Sequence, residues 1–245
     1  IVTIDGEDKD SFAFDQTTNS LIFIGNSNYE EQTSYSLSIK VIREDEEVVI
    51  PVNVAIIDVN EAPSVSTEIQ DSYAEDLALG TILVGVTATD PENQSISYSI
   101  TGEDSEKFDL DSEGNIILVQ EFDFETKTSY TLTLTISDGS FTIDEEVLIE
   151  IGDINEAPSL SSSLASNSFA EDSSTGTIIA TSSVTDPESN AISYSLSGTG
   201  SEFFSVDEDG NVLINNVLDY ETYPTYEITL IASDGELTSS SLISF

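Results

Sequence analysis

Tyr130-Thr131-Leu132-Thr133-Leu134-Thr135-Ile136-Ser137 places an apolar side chain at every second residue and a small hydroxyl residue between them. Side chains of a strand alternate between its faces, so a period of two predicts a half-buried strand with one wet face. Working outward, Thr81 to Thr89, Ile96 to Thr101, Asn115 to Val119 and Thr142 to Ile151 read as further strands, rich in Ile, Val, Thr and Tyr. Asp90-Pro91-Glu92-Asn93, Asp111-Ser112-Glu113-Gly114-Asn115 and Asp138-Gly139 separate them as turns. No amphipathic helical window competes. Roughly seven short strands in about 95 residues predict an all-β fold, an antiparallel Greek-key sandwich of immunoglobulin-like class.

The pattern recurs. Asn60 and Asn155 are 95 residues apart, as are Tyr35 and Tyr130, while Glu75 and Glu171, Asp90 and Asp186, Glu125 and Glu221, and Asp138 and Asp234 all keep a separation of 96. Four acids sharing one spacing predict tandem sandwiches: residues 1–61, 62–156 and 157–245, arranged as a rod. The third repeats the strand order at Gly176 to Thr185, Ile192 to Ser197, Asn211 to Asn215, Tyr226 to Ser233 and Ser239 to Phe245. Ile4-Asp5-Gly6-Glu7-Asp8 aligns with Ile100-Thr101-Gly102-Glu103-Asp104, so the first repeat starts near its third strand and the third stops within its last. With no Met at position 1, the chain reads as a piece of a longer product whose targeting signals lie elsewhere.

Composition narrows the chemistry. There are 48 acids against 5 bases, a net charge of −43, yet 38% of residues are hydrophobic, including 11 Phe and 9 Tyr. That is apolar enough for several small cores and unlike a disordered acidic tail. Such a charge repels nucleic acid and anionic membranes, and it opposes compaction unless cations neutralise it. Cys and His are both absent, which removes thiolate zinc sites, disulfides and the usual general base. Oxygen ligands remain, and these suit hard cations. No apolar run is long enough to span a membrane.

Two stretches join the repeats: Ile57-Asp58-Val59-Asn60-Glu61-Ala62-Pro63 and Gly152-Asp153-Ile154-Asn155-Glu156-Ala157-Pro158. Each puts two acids and an amide within four residues and then stops the strand with proline. Together with Ala74-Glu75-Asp76, Ala88-Thr89-Asp90-Pro91-Glu92, Phe122-Asp123-Phe124-Glu125 and Ser137-Asp138-Gly139, in that order, they give a sequence that resembles the cadherin-repeat family, including the cadherin-like repeats of large bacterial surface proteins. The resemblance covers almost the whole chain. It implies calcium held between consecutive cadherin-like domains by the bottom of one, the linker and the top of the next.

Carried over residue by residue, it implies metal ligands at the second joint from Glu75, Asp123, Glu125, Asp153, Asn155, Glu156, Asp186, Glu188 and Asp234. Eight of these are carboxylates, which cannot converge without counterions. About three Ca²⁺, each taking six to eight oxygens, would balance most of that charge, whereas Mg²⁺ would keep its waters. The first joint would use Asn28, Glu30, Asp58, Asn60, Glu61, Asp90, Glu92 and Asp138, with six carboxylates, because Asn28 stands where Asp123 stands; weaker or fewer ions are expected there. Arg43 occupies the place of Asp138 at the far end of the first repeat and opposes a cation site. Glu171, Asp219 and Glu221 would serve a further joint. Asn-Glu-Ala-Pro is one residue shorter than the usual family linker.

Other acidic stretches read as structure. Glu44-Asp45-Glu46-Glu47 reads as a solvated hairpin tip, Asp111-Ser112-Glu113-Gly114 and Asp207-Glu208-Asp209-Gly210 as β-turns, and the recurring Tyr98, Phe108, Tyr130, Tyr194, Phe204 and Tyr226 as core. The leading functional expectation is a non-enzymatic, extracellular or cell-surface adhesion or fibre-forming filament module, stiffened by Ca²⁺. Its partners would be other protein domains, including the same protein through homophilic or strand-donating contacts. The alternative is a calcium-dependent polysaccharide-binding module, for which the absence of Trp is unfavourable.

Overall fold

A computed structural model describes all 245 residues, Ile1–Phe245. The chain forms two compact units: Ile1–Asp71, Ala78–Glu121 and Ser129–Ile149 make the first; Ser72–Leu77, Phe122–Thr128 and Glu150–Phe245 make the second. The division runs through the middle repeat, and each unit carries one complete linker.

In the first unit, β1 (Val2–Asp5), β4 (Ser34–Arg43) and β5 (Glu46–Ala55) form one antiparallel sheet, while β2 (Phe12–Asp15) pairs with β3 (Ser20–Phe23). Phe12, Tyr35 and Leu37 are buried between them, with Phe12 and Tyr35 ring edge to face at 5.8 Å. Arg43 pairs with Glu46 across the β4–β5 turn, so Glu44 and Asp45 are the hairpin tip, with Glu44 at φ 56°. Lys40 pairs with Asp5 of the neighbouring strand.

The same unit holds the two sheets of the middle repeat. One runs β10 (Phe108–Leu110), β11 (Ile116–Leu118), β8 (Ile82–Thr89), β6 (Ser64–Ile69). The other sets β9 (Ser97–Thr101) beside β12 (Ser129–Ser137), which neighbours β13 (Thr142–Gly152). The alternation read in β12 is obeyed: Leu132, Leu134 and Ile136 have no exposed surface, while the intervening residues face outward. Leu83, Val84, Ile116 and Leu118 are buried on the opposing sheet. Phe108 and Tyr130 meet edge to face at 5.5 Å, so these recurring aromatics are core.

The second unit begins with β7 (Tyr73–Ala74), which pairs in parallel with Ile151 and Gly152 at the end of β13. Its sandwich stacks the sheet β14 (Ser159–Leu164), β15 (Ile178–Thr185), β18 (Val212–Ile214), β17 (Phe204–Val206) against β16 (Ser193–Thr199), β19 (Glu227–Ser233), β20 (Thr238–Ser244). Ile179, Val212, Ile214, Ile228 and Leu230 fill the core, and Phe204 meets Tyr226 edge to face at 5.3 Å.

One glycine position recurs for a steric reason. A Cβ would lie 2.7 Å from the Thr131 carbonyl oxygen at Gly102, 2.7 Å from that of Glu227 at Gly198, and 2.9 Å from the Leu37 Cα at Gly6. All three have positive φ, where L side chains are strained. A 3₁₀ turn follows each: Lys9–Ser11, Ser105–Lys107 and Ser201–Phe203. The Asp111 and Asp207 loops are turns, closed by Gly114 N–H to Asp111 O and Gly210 N–H to Asp207 O, both 3.1 Å. Their carboxylates are consumed by Asn115 and Asn211, which holds both acids below the usual range.

The register is testable. Leu134 is fully buried, whereas Leu148 of β13 is 48% exposed. Leu134→Ala should cost about 2–5 kcal/mol in denaturant unfolding and Leu148→Ala about 0.5 kcal/mol or less; equal costs would contradict the faces that β12 and β13 present to the core.

Candidate metal centres

At the second joint, backbone N–H groups hold the carboxylates of Glu75, Asp123, Asp186 and Asp234. Glu75 follows β7 and is buried, and its carboxylate accepts the N–H of Phe124 at 2.7 Å and of Ile154 at 3.0 Å. It thereby ties the Phe122–Thr128 turn to the linker. Asp123 opens that turn by accepting the Thr126 N–H at 2.7 Å. Asp186 accepts the N–H of Asn190 at 2.8 Å, and Asp234 accepts those of Glu236 and Leu237 at 2.7 and 2.6 Å, across a turn that Gly235 makes at φ +109°. Pro158 is buried, fixing the end of the linker.

These elements bring acids together. Carboxylate oxygens of Glu75, Glu125 and Glu156 lie within 4.8 Å of one another, as do those of Glu125, Asp153 and Glu188. Glu125 belongs to both trios. Asp123 lines the same concavity with Glu75, Glu125 and Glu156. Asn155 bridges to Asp234 at 2.9 Å, and Asp186 connects to the same linker residue through Asn190.

The first joint repeats the plan with less charge. Glu30, Glu61 and Glu92 form a single trio within the same 4.8 Å. Asp58 adds its field to Glu61, and Asn60 donates to the buried Asp138 at 2.9 Å. Asn28 makes the turn that Asp123 makes: its side-chain oxygen accepts the N–H of Glu30 at 2.9 Å and of Glu31 at 3.3 Å. Asparagine therefore keeps the backbone turn while replacing the second carboxylate oxygen with a donor. Glu171, Asp219 and Glu221 line one concavity in the third repeat, where Tyr220 N–H reaches Glu171 at 3.4 Å.

Whether a cation suits these groups can be judged from the oxygens themselves. Asp90 Oδ2, Glu92 Oε1, Glu156 Oε2, Asp186 Oδ2 and Glu188 Oε2 are buried with no hydrogen-bond partner, and the two other such side-chain atoms are the hydroxyls of Ser182 and Ser239. Buried carboxylate oxygens without donors are costly unless protonated or met by a cation. The acid–base balance carries the same strain. Glu156 is pushed up to about 7, chiefly by its hydrogen bond with Glu188 and then by desolvation, while Glu188 is held below its ordinary value. Glu61 is likewise pushed up to about 7 by Glu92, desolvation and Glu30. Desolvation, then Glu75, raises Glu125. The chemistry on offer is capture of hard, oxygen-seeking divalent cations, and the donor set fits Ca²⁺.

A family model for the cadherin domain matches residues 70–151 and 166–243. The chain belongs to the cadherin family. Human cadherin-23 is 31% identical over 191 residues, covering 74% of this chain and 6% of that protein. Human protocadherin Fat 4 is 30% identical over 257 residues, covering 94% of this chain and 5% of its own length. The chain thus spans a small fraction of these curated relatives. Among solved structures, that of PcdhgB3 EC1-4 has a TM-score of 0.66 at 26% identity, covering all of this chain and 65% of the other. Mouse cadherin-23 EC22-24 has a TM-score of 0.57 at 26% identity, covering 99% and 84%. No helix is long and apolar enough to cross a membrane.

Two residues at this cadherin's joints were not singled out from sequence: Gln94 and Asn190, whose side chains meet the linker asparagines. They are 96 apart, like the acids, but as polar residues in turns they read as ordinary loop chemistry.

The raised values of Glu61 and Glu156 predict a pH dependence. For Glu61 and Glu156, the folded value of about 7 exceeds the ordinary 4.5, so the folded state holds extra protons between those limits. Their contribution is complete below about pH 4.5 and is lost as pH rises through 7. Melts of the calcium-free chain should show Tm falling from pH 5 to pH 8; a flat or rising Tm would refute the raised values.

Proposed function

We propose that this segment is an extracellular, calcium-stiffened module for adhesion or fibre formation, with Ca²⁺ bound at the joints between repeats 1–61, 62–156 and 157–245. The reading rests above all on the convergence of Glu75, Glu125, Glu156, Asp153 and Glu188, of which Glu156 and Glu188 each bury a carboxylate oxygen that has no donor. A cation there bonds to acids from the end of one repeat, the linker and the start of the next. The site is whole only when all three hold one geometry, so binding and stiffening are the same event. Membership of the cadherin family supports calcium as that cation and other protein domains, including a second copy of this protein, as the partners.

The two joints differ in grip. Two trios share Glu125 at the second, and one trio stands at the first. The second should fill at lower calcium. Glu171, Asp219 and Glu221, which line one concavity, are a further candidate cation site in this reading.

Small-angle scattering provides the test. Adding a chelator should change the maximum dimension and broaden the distance distribution as the joints loosen, and restoring calcium should reverse it; identical curves would rule out calcium stiffening. A point substitution checks the asymmetry. Asn28→Asp retains the oxygen that caps the Glu30 and Glu31 N–H groups and adds a carboxylate. Calorimetric titration should show the weaker site tightening by about tenfold; unchanged affinity would remove Asn28 from the ligand set.

A further inference from the structure

We propose that Gln94 and Asn190 are positioning residues that latch each linker to the repeat that follows it, independently of any cation. At the second joint, Asn190 Nδ2 donates to Asn155 Oδ1 at 2.9 Å. Asn155 Nδ2 in turn donates to Asp234 Oδ2 at 2.9 Å and to its neighbour's carbonyl, Glu156 O, at 3.3 Å. At the first joint, Gln94 Nε2 donates to Asn60 Oδ1, and Asn60 Nδ2 donates to Asp138 Oδ2 at 2.9 Å and Glu61 O at 3.0 Å. Side chains of different length thus reach the same atom of the same linker residue in two repeats.

Both ends of the latch are anchored. The backbone N–H of Asn190 is fixed on Asp186 Oδ1 and that of Gln94 on Asp90 Oδ1, each at 2.8 Å. The acceptors Asp138 and Asp234 are held through their other oxygen by two backbone N–H groups each. A rigid turn, an acid, the linker amide, a loop amide and a second acid therefore form one chain of hydrogen bonds. Every donor in it is neutral, so it persists where the surrounding carboxylates repel. The amide oxygen of Asn155 or Asn60 has two lone pairs and the latch uses one, leaving the other for a cation. Gln94 and Asn190 themselves need not touch an ion: they aim a group that can. Asn190→Ala removes a hydrogen bond from the linker without changing the charge of the acidic cluster.

The test uses the full chain with Asn190→Ala, Asn190→Gln and, at the first joint, Gln94→Ala. In chelator, the side-chain amide protons of Asn155 should exchange with water several-fold more slowly in wild type and Asn190→Gln than in Asn190→Ala. Free exchange in wild type, or no change in Asn190→Ala, would overturn the latch. Only the second arm rests on the calcium reading: affinity should fall about threefold to tenfold in Asn190→Ala and Gln94→Ala and recover in Asn190→Gln. Undiminished affinity in both alanine variants would overturn the positioning role. Wild type that binds no calcium would overturn the proposed function, with the latch then decided by the exchange data.

Discussion

Mutual repulsion among carboxylates at the joints is the constraint on which the rest depends. A chain with a net charge of −43 already resists compaction, yet it also gathers acids at its joints, where carboxylate oxygens of Glu75, Glu125 and Glu156 lie within 4.8 Å of one another. Backbone hydrogen bonds and buried apolar strands hold them there. Glu75 is fixed by two N–H groups, Asp234 by two more, and the strands that lead into these turns are anchored by residues with no exposed surface, such as Leu134, Ile136 and Leu230. Hydrophobic burial thus supplies the scaffold on which like charges gather, and calcium is the proposed counterweight.

The same balance lets the two joints be built alike while carrying different charge. Asn28 and Asp123 make one backbone turn, so the fold is indifferent to the exchange, while the charge it removes bears only on the cluster. Neutral amides play the complementary part. Gln94 and Asn190 hold the linker without adding charge, so the linker's place on the following repeat depends less on the cation than the clustered acids do.

Much of the fold was legible because one period of two recurs in β12 and its 96-residue relative β19, with Gly and Asp turns between strands. Less legible were β6 and β14, where Ser and Thr dilute the apolar signal and cross-strand pairing with β8 and β15 decides. β7 is only two residues long and exists through its parallel pairing with Ile151 and Gly152. Within the site, spacing shows which acids recur but not which oxygens approach: nothing in the sequence places Glu125 in both trios. The amide latch was hidden because Asn and Gln in turns ordinarily serve the turn itself.

Anomalous diffraction from crystals grown in calcium would show whether these joints hold the ion. Ions are expected among the oxygens of Glu75, Glu125, Asp153, Glu156 and Glu188, with fewer or weaker peaks among Glu30, Glu61 and Glu92. Absence of ordered calcium at the second joint, with those carboxylates bonded only to water, would contradict this expectation.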